Sequence, residues 1–138
     1  MLFPIFALYR TCHPGPYERG MGEAIVRLLQ LFKDHVPDQE SNALVLKLAT
    51  NSSKWTAGHA VFDKVRDRLL DTDDQNRTAQ YNFEESCCKA IYNASDPSDP
   101  FDPSSAFFVV PEALSLANVL GIPVEAVMDA LCQPTEDA

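Results

Sequence analysis

Residues 94–111 read ASDPSDPFDPSSAFFVVP. The reading of this stretch decides between a purely helical chain and a mixed one. Asp-Pro pairs recur at Asp96, Asp99 and Asp102. Proline and its neighbours favour polyproline II, with three residues per turn and a rise of about 3.1 Å per residue. Aspartates at that spacing share one side but stand about 9 Å apart. A calcium ion takes oxygens at about 2.3–2.6 Å, so neighbouring aspartates here do not converge on one ion. An EF-hand loop alternates its acidic ligands at every second residue around a central glycine, and this run has neither feature. The stretch therefore reads as a connector, residues 95–105. Each residue before a proline is pushed away from helix, so the preceding helix ends near Ala94. At the far side, Asp102 and Pro103 are an N-cap and a first-turn proline opening the next helix. A short strand has one place to form, the run AFFVV at 106–110.

Outward from the connector, the chain is helical in pattern. Apolar residues at Ile25, Leu28, Leu29, Phe32 and Val36 form one face of a helix from Glu18 or Gly22 to His35. Pro37 stops it. Asp38 or Ser41 caps a second helix through about Leu48, carrying Leu44, Val45 and Leu48. Helix three, about Lys54–Asp71, places Trp55, Gly58, Phe62, Val65 and Leu69 on one face. Helix four, about Gln75–Ala94, has a stripe of Phe83, Cys87, Ala90, Ile91 and Ala94, with Tyr81, Cys88 and Tyr92 beside it. Two shorter helices follow the connector. No internal repeat is visible. The expected fold is all-α: one domain over 1–138, a compact irregular bundle of five or six helices with an extended N-terminal arm (1–17) and a C-terminal helical hairpin (112–132).

That hairpin carries the only motif with a recognisable shape, LANVLGIPVEAVMDAL at 116–131. Leu116 and Leu120 pack one helix, small Ala117 admits a second, Gly121 makes the corner, and Ile122 plugs it. Val127 and Leu131 face back. The pattern resembles the helix-turn-helix family, and that resemblance implies a bihelical unit. In that family, side chains early in the second helix enter the major groove. Here those positions are Pro123, Val124, Glu125, Met128 and Asp129. None is Arg, Lys, Asn or Gln, so neither bases nor phosphates find a donor. The same turn also resembles the first two helices of a ubiquitin-associated domain, whose third helix the seven residues after Leu131 are too few to supply.

Charge narrows the function further. The net charge is −9, and it is unevenly placed. Residues 1–70 hold 9 Lys/Arg against 7 Asp/Glu, a balance of +2; residues 71–138 hold 2 against 13, a balance of −11. Such a chain is repelled by nucleic-acid phosphates and by anionic membranes. The opening MLFPIFALYR lacks a basic leader region and is shorter than a membrane span. Four cysteines, Cys12, Cys87, Cys88 and Cys132, have no zinc-finger spacing. They read as reduced thiols of a cytoplasmic protein, packed as small hydrophobes.

Catalytic patterns are sparse. Cys12 and His13 are sequence neighbours, which point apart in most backbone conformations, whereas a thiolate–imidazole pair needs proximity in space. Glu84 and Glu85 are adjacent and point to different sides of a helix. There is no glycine-rich phosphate loop and no His-Glu-x-x-His. No catalytic residue, metal ligand or cofactor is expected. The expectation is a non-enzymatic acidic binding protein that docks on a basic partner surface, as small immunity proteins, antitoxins and nucleic-acid-imitating inhibitors do. Its candidate contacts are Asp71, Asp73, Asp74, Glu84, Glu85, Asp96, Asp99 and Asp102, with Tyr81 and Tyr92 as aromatic anchors. A transcriptional regulator using 116–131 is the first alternative, and a thiol-dependent enzyme the second.

Overall fold

The computed structural model describes residues 17–70, 73–95 and 103–132. Among them are six α-helices and one 3-10 helix, with no strand. The N-terminal arm (1–17) and most of the Asp-Pro connector lie outside the described residues, apart from Tyr17, which opens the first helix.

Helix α1, Tyr17–Phe32, buries the face anticipated from its periodicity: Ile25, Leu28, Leu29 and Phe32 are fully buried. It ends three residues before His35, in a turn where the His35 and Val36 amides both donate to the Phe32 carbonyl. Helix α2, Gln39–Thr50, begins at Asp38, whose carboxylate accepts from the Ser41 amide at 3.2 Å. Of the two caps considered, Asp38 is the one used.

The third expected helix differs from its sequence reading. Asn51 accepts from the Ser53 amide and starts a separate 3-10 turn, Ser52–Ala57, before α3 runs from Gly58 to Leu69. Trp55 therefore sits on the 3-10 turn, half-buried, not on the α-helical face with Val65 and Leu69. Gly58 opens α3 at a close crossing with α4: a Cβ there would lie 2.9 Å from Tyr92 Cβ and 3.0 Å from the Cys88 carbonyl oxygen.

Helix α4, Gln75–Ser95, runs beside both α3 and α5. Its Phe83 meets Phe32 of α1 edge-on at 5.2 Å between ring centroids. Helix α5, Pro103–Leu120, is a single 18-residue helix, not a short one. Residues 106–110 belong to it and form no strand. The run AFFVV has β-type side chains, but Val109, Val110, Ala113, Leu116 and Ala117 fall at helical spacing, and all five are buried. Burial of that stripe outweighs a five-residue propensity. Even Pro111 is accommodated inside the helix; it lacks an N–H, so the carbonyl of residue 107 loses its helical donor there.

The corner between α5 and α6 (Val124–Cys132) is built as read. Gly121 has φ +76°, the Ile122 amide donates to the Ala117 carbonyl at 2.8 Å, and the Gly121 amide reaches Asn118 O at 3.4 Å. This is a Schellman ending, and it needs a residue free to adopt the left-handed conformation. Val127, Ala130 and Leu131 then turn back onto the core, α6 lies against α1, and Arg27 Nε caps its last turn by donating to Ala130 O at 2.6 Å. All six α-helices contribute to one hydrophobic cluster.

Candidate functional site

The expected acidic surface is divided by the fold. Asp71, Asp96, Asp99 and Asp102 lie outside the described residues. Asp73 and Asp74 are exposed at the start of α4, where Asp74 Oδ1 accepts from the Asn76 amide at 2.9 Å and so caps the helix.

Tyr81 and Tyr92 are half-buried between α3 and α4. The Tyr81 ring lies 6.5 Å from Phe62 and its hydroxyl donates to Glu85 Oε2 at 3.1 Å. Burial, and then that bond to Glu85, push the Tyr81 hydroxyl above its ordinary pKa. Tyr92 meets His59 edge-on at 4.5 Å. Both tyrosines thus serve helix packing as well as facing water. Glu85 is half-buried and has Lys89 Nζ at 3.7 Å, so part of its charge is neutralised locally. Arg66 and Lys89 both stand over the Phe62 ring, at 5.7 and 5.8 Å from its centroid. The α3–α4 groove is therefore a mixed-charge aromatic surface and not an acidic one.

Glu84 is a correction. It is 0 % exposed and takes no part in any outer surface. One position of rotation separates it from Glu85, and that 100° turns it onto the stripe of Gln80, Phe83, Cys87 and Ile91. Ser41 Oγ lies 2.5 Å from Glu84 Oε1, and Gln80 Nε2 donates to Oε2 at 2.8 Å. Gln80 also binds the Asp38 backbone at both ends, donating to Asp38 O at 2.7 Å and accepting from Asp38 N at 3.1 Å. Asp38 in turn holds Arg68 through two bonds of 2.9 and 3.1 Å. A polar seam thus joins the start of α2 to the middle of α4 and the end of α3. The sequence reading did not find it. The available signal was Gln80 and Glu84 at i, i+4 on an otherwise apolar stripe.

Burial pulls the Asp38 carboxyl upward, but the Arg68 hydrogen bond, the Ser41 amide and the charges of Arg68 and Arg77 outweigh it, and the net shift is downward. Glu84 goes the other way. Burial dominates, the Ser41 and Gln80 bonds oppose it, the nearby Asp38 charge adds to it, and its pKa is pushed up to about 7.

Carboxylates that reach water are spread over several helices, Asp34, Glu40, Asp63, Asp67, Asp73 and Asp74 among them, and the C-terminal hairpin differs in carrying no cation of its own. Residues 103–132, the whole of α5, the corner and α6, contain Glu112, Glu125 and Asp129 and not one Lys, Arg or His. Glu125 and Asp129 are both exposed, four residues apart on one side of α6. Glu112 is half-buried, and burial, with the Glu85 charge of α4 nearby, raises its pKa. Val124 is 55 % exposed at the same helix start as Glu125. The face that would enter a DNA groove in a helix-turn-helix protein therefore presents two carboxylates and a valine.

The thiols lie inside. Cys87 and Cys88 are free and buried, and burial, followed by neighbouring negative charge, raises both well above the ordinary thiol range. Cys132 is half-buried; Cys12 and His13 are outside the described residues. Among the described residues, no group of three or more His, Cys, Asp or Glu is placed to hold a metal ion. None of their helices is long and apolar enough to cross a membrane.

Fold and surface together define an all-α bundle with an anionic C-terminal hairpin. No protein-family model, no curated protein and no solved structure matches the chain.

Proposed function

We propose that this chain is a non-enzymatic binding protein that docks an anionic helical surface on a basic surface of a partner protein. One observation carries the reading: the α5–α6 hairpin exposes Glu125 and Asp129 across 30 residues that include no cation. Opposite potentials speed encounter and fix the register of two surfaces. Asp73 and Asp74, both exposed, belong to the same reading; Asp71, Asp96, Asp99 and Asp102 belong to it by sequence alone. Glu84 does not. Glu85 contributes less than its charge suggests, because Lys89 lies beside it. Free, buried thiols at Cys87 and Cys88 suit a reducing compartment, and we assign the protein to the cytoplasm on that basis.

The regulator alternative draws on the geometry of the hairpin, but Glu125 and Asp129 would repel the phosphate backbone. A thiol enzyme needs thiolate at neutral pH, which the buried environments of Cys87 and Cys88 oppose.

Affinity capture from native lysate with the wild-type chain and with a Glu125→Gln/Asp129→Asn variant tests the reading. The expected result is one partner with a basic surface, bound at low salt, released as salt rises, and lost or strongly weakened with the variant. Capture indifferent to both salt and the variant sinks it. Retention on DNA-cellulose at low salt would return the function to the regulator class.

A further inference from the structure

A buried carboxylic acid without a countercharge is uncommon, and Glu84 is one. Both of its oxygens are engaged, by the Ser41 hydroxyl and the Gln80 amide, yet both partners are neutral. The charged groups facing it are few. From the α2 cap comes Asp38, a like charge. From α3 comes Arg68 and from α4 Arg77, and both act on Asp38. Along α4 lie Glu85 and the thiols of Cys87 and Cys88. No cation pairs with Glu84 among the described residues. An ionised carboxylate here would be a buried, uncompensated charge beside a second one, which a low-dielectric interior strongly disfavours. A protonated carboxyl fits the same geometry without that cost: its O–H donates to Ser41 Oγ across 2.5 Å, and its carbonyl oxygen accepts from Gln80.

We propose that Glu84 is a proton-operated latch on the seam between α2 and α4, closed while its carboxyl carries a proton and loosened when the proton leaves. The opening element is the first turn of α2. Its Ser41 hydroxyl, the Ser41 amide on Asp38 and the Asp38–Gln80 bridge all converge on this point, so releasing that turn lets water reach the carboxylate.

The direction follows from linkage. Glu84 binds its proton more tightly in the closed form, with a pKa of about 7 against an ordinary 4.5. The seam therefore has its full strength below about pH 4.5, loses it as pH climbs toward 7, and is flat above. Asp38 titrates below its ordinary value of 3.8 and does not interfere in this window.

Hydrogen exchange of the full chain tests the latch. With intrinsic exchange rates divided out, protection of the amides of residues 41–45 should fall about tenfold for each pH unit between pH 5 and pH 7, the slope of one proton. Glu84→Gln should remove the slope. A carboxyl carbon titration of Glu84 in the unmodified chain needs no variant and should have its midpoint near neutrality. Protection that stays flat in the wild type, an equal slope in Glu84→Gln, or a carboxyl midpoint near 4.5 would each overturn the proposal.

Discussion

The α2–α4 seam and the α5–α6 hairpin join helices by opposite means. Every buried polar side chain among the described residues lies on α2, its cap or α4: Asp38, Ser41, Asn42, Gln80, Glu84 and Ser86. The hairpin buries only apolar groups, with Val109, Val110, Ala113, Leu116, Ala117, Val127, Ala130 and Leu131 inside and its carboxylates at or near the surface. Apolar packing is non-directional and indifferent to pH. A hydrogen-bonded seam fixes geometry more tightly, but it ties stability to protonation. The contrast also says which carboxylates count as surface charge. Glu84 contributes to the formal −9 but presents nothing to a partner, while Glu125 and Asp129 are exposed, Asp129 on a cavity that Arg27 of α1 also lines.

The largest effect that separates the two regions is a cavity in the hairpin. Leu116 is fully buried between α5 and its neighbours. Leu116→Ala should cost about 2–5 kcal/mol in denaturant unfolding, the range for leucine truncation in close-packed cores. That loss should be the same at pH 5 and at pH 7.5, because no titratable group takes part. A pH-dependent loss at this site would mean that the hairpin and the seam are not energetically separate.

Breaking the seam's ion pair should cost less and should depend on pH. Arg68 is 38 % exposed and Asp38 is 8 % exposed, so the pair stands between a surface bridge and a buried one. Arg68→Ala should destabilise the fold near neutral pH by clearly less than Leu116→Ala does, because solvent screens an exposed guanidinium. The sign is set by Asp38, whose folded pKa is depressed below 3.8. Its contribution is present above that value and is lost as pH falls through the folded pKa. The gap between wild type and Arg68→Ala should therefore close on acidification below pH 4, the reverse of the Glu84 trend. Equal gaps at pH 3 and pH 6 would remove Asp38 from the account.

How much of this was legible in the sequence follows from where each partner sits. The α1 face, the Asp38 cap and the Gly121 corner are local: their signals lie within a few residues, and the structure reproduces them. The 3-10 turn at Ser52–Ala57 was hidden because Trp55, Phe62 and Leu69 keep plausible helical spacing across it, while the Asn51 cap interrupts the helix. The run at 106–110 leaves a strand open because its five positions are β-branched or aromatic but for Ala106, whereas the burial stripe that makes it helical extends to Ala117. Glu84 is the most instructive case. Its periodicity placed it with Phe83 and Cys87, but its charge suggested the surface. What reverses that suggestion is Ser41, 43 residues earlier in the chain. No pattern within α4 reveals that partner.

The smallest effect tests whether the hairpin's corner is held by conformation or by packing. Gly121 has φ +76°, and a Cβ added there would meet nothing within 4 Å. Space is therefore not the constraint; the left-handed backbone is. Gly121→Ala should cost about 1 kcal/mol, the strain of an alanine at positive φ. Gly121→Asn should cost only a few tenths, because asparagine tolerates that conformation. The order Gly, Asn, Ala in thermal midpoint would show that backbone freedom alone sets the turn. If Asn, the bulkier side chain, destabilised more than Ala, a steric contact would be responsible, and the hairpin would be a packed corner like the crossing at Gly58, where Tyr92 and Cys88 leave a Cβ no room.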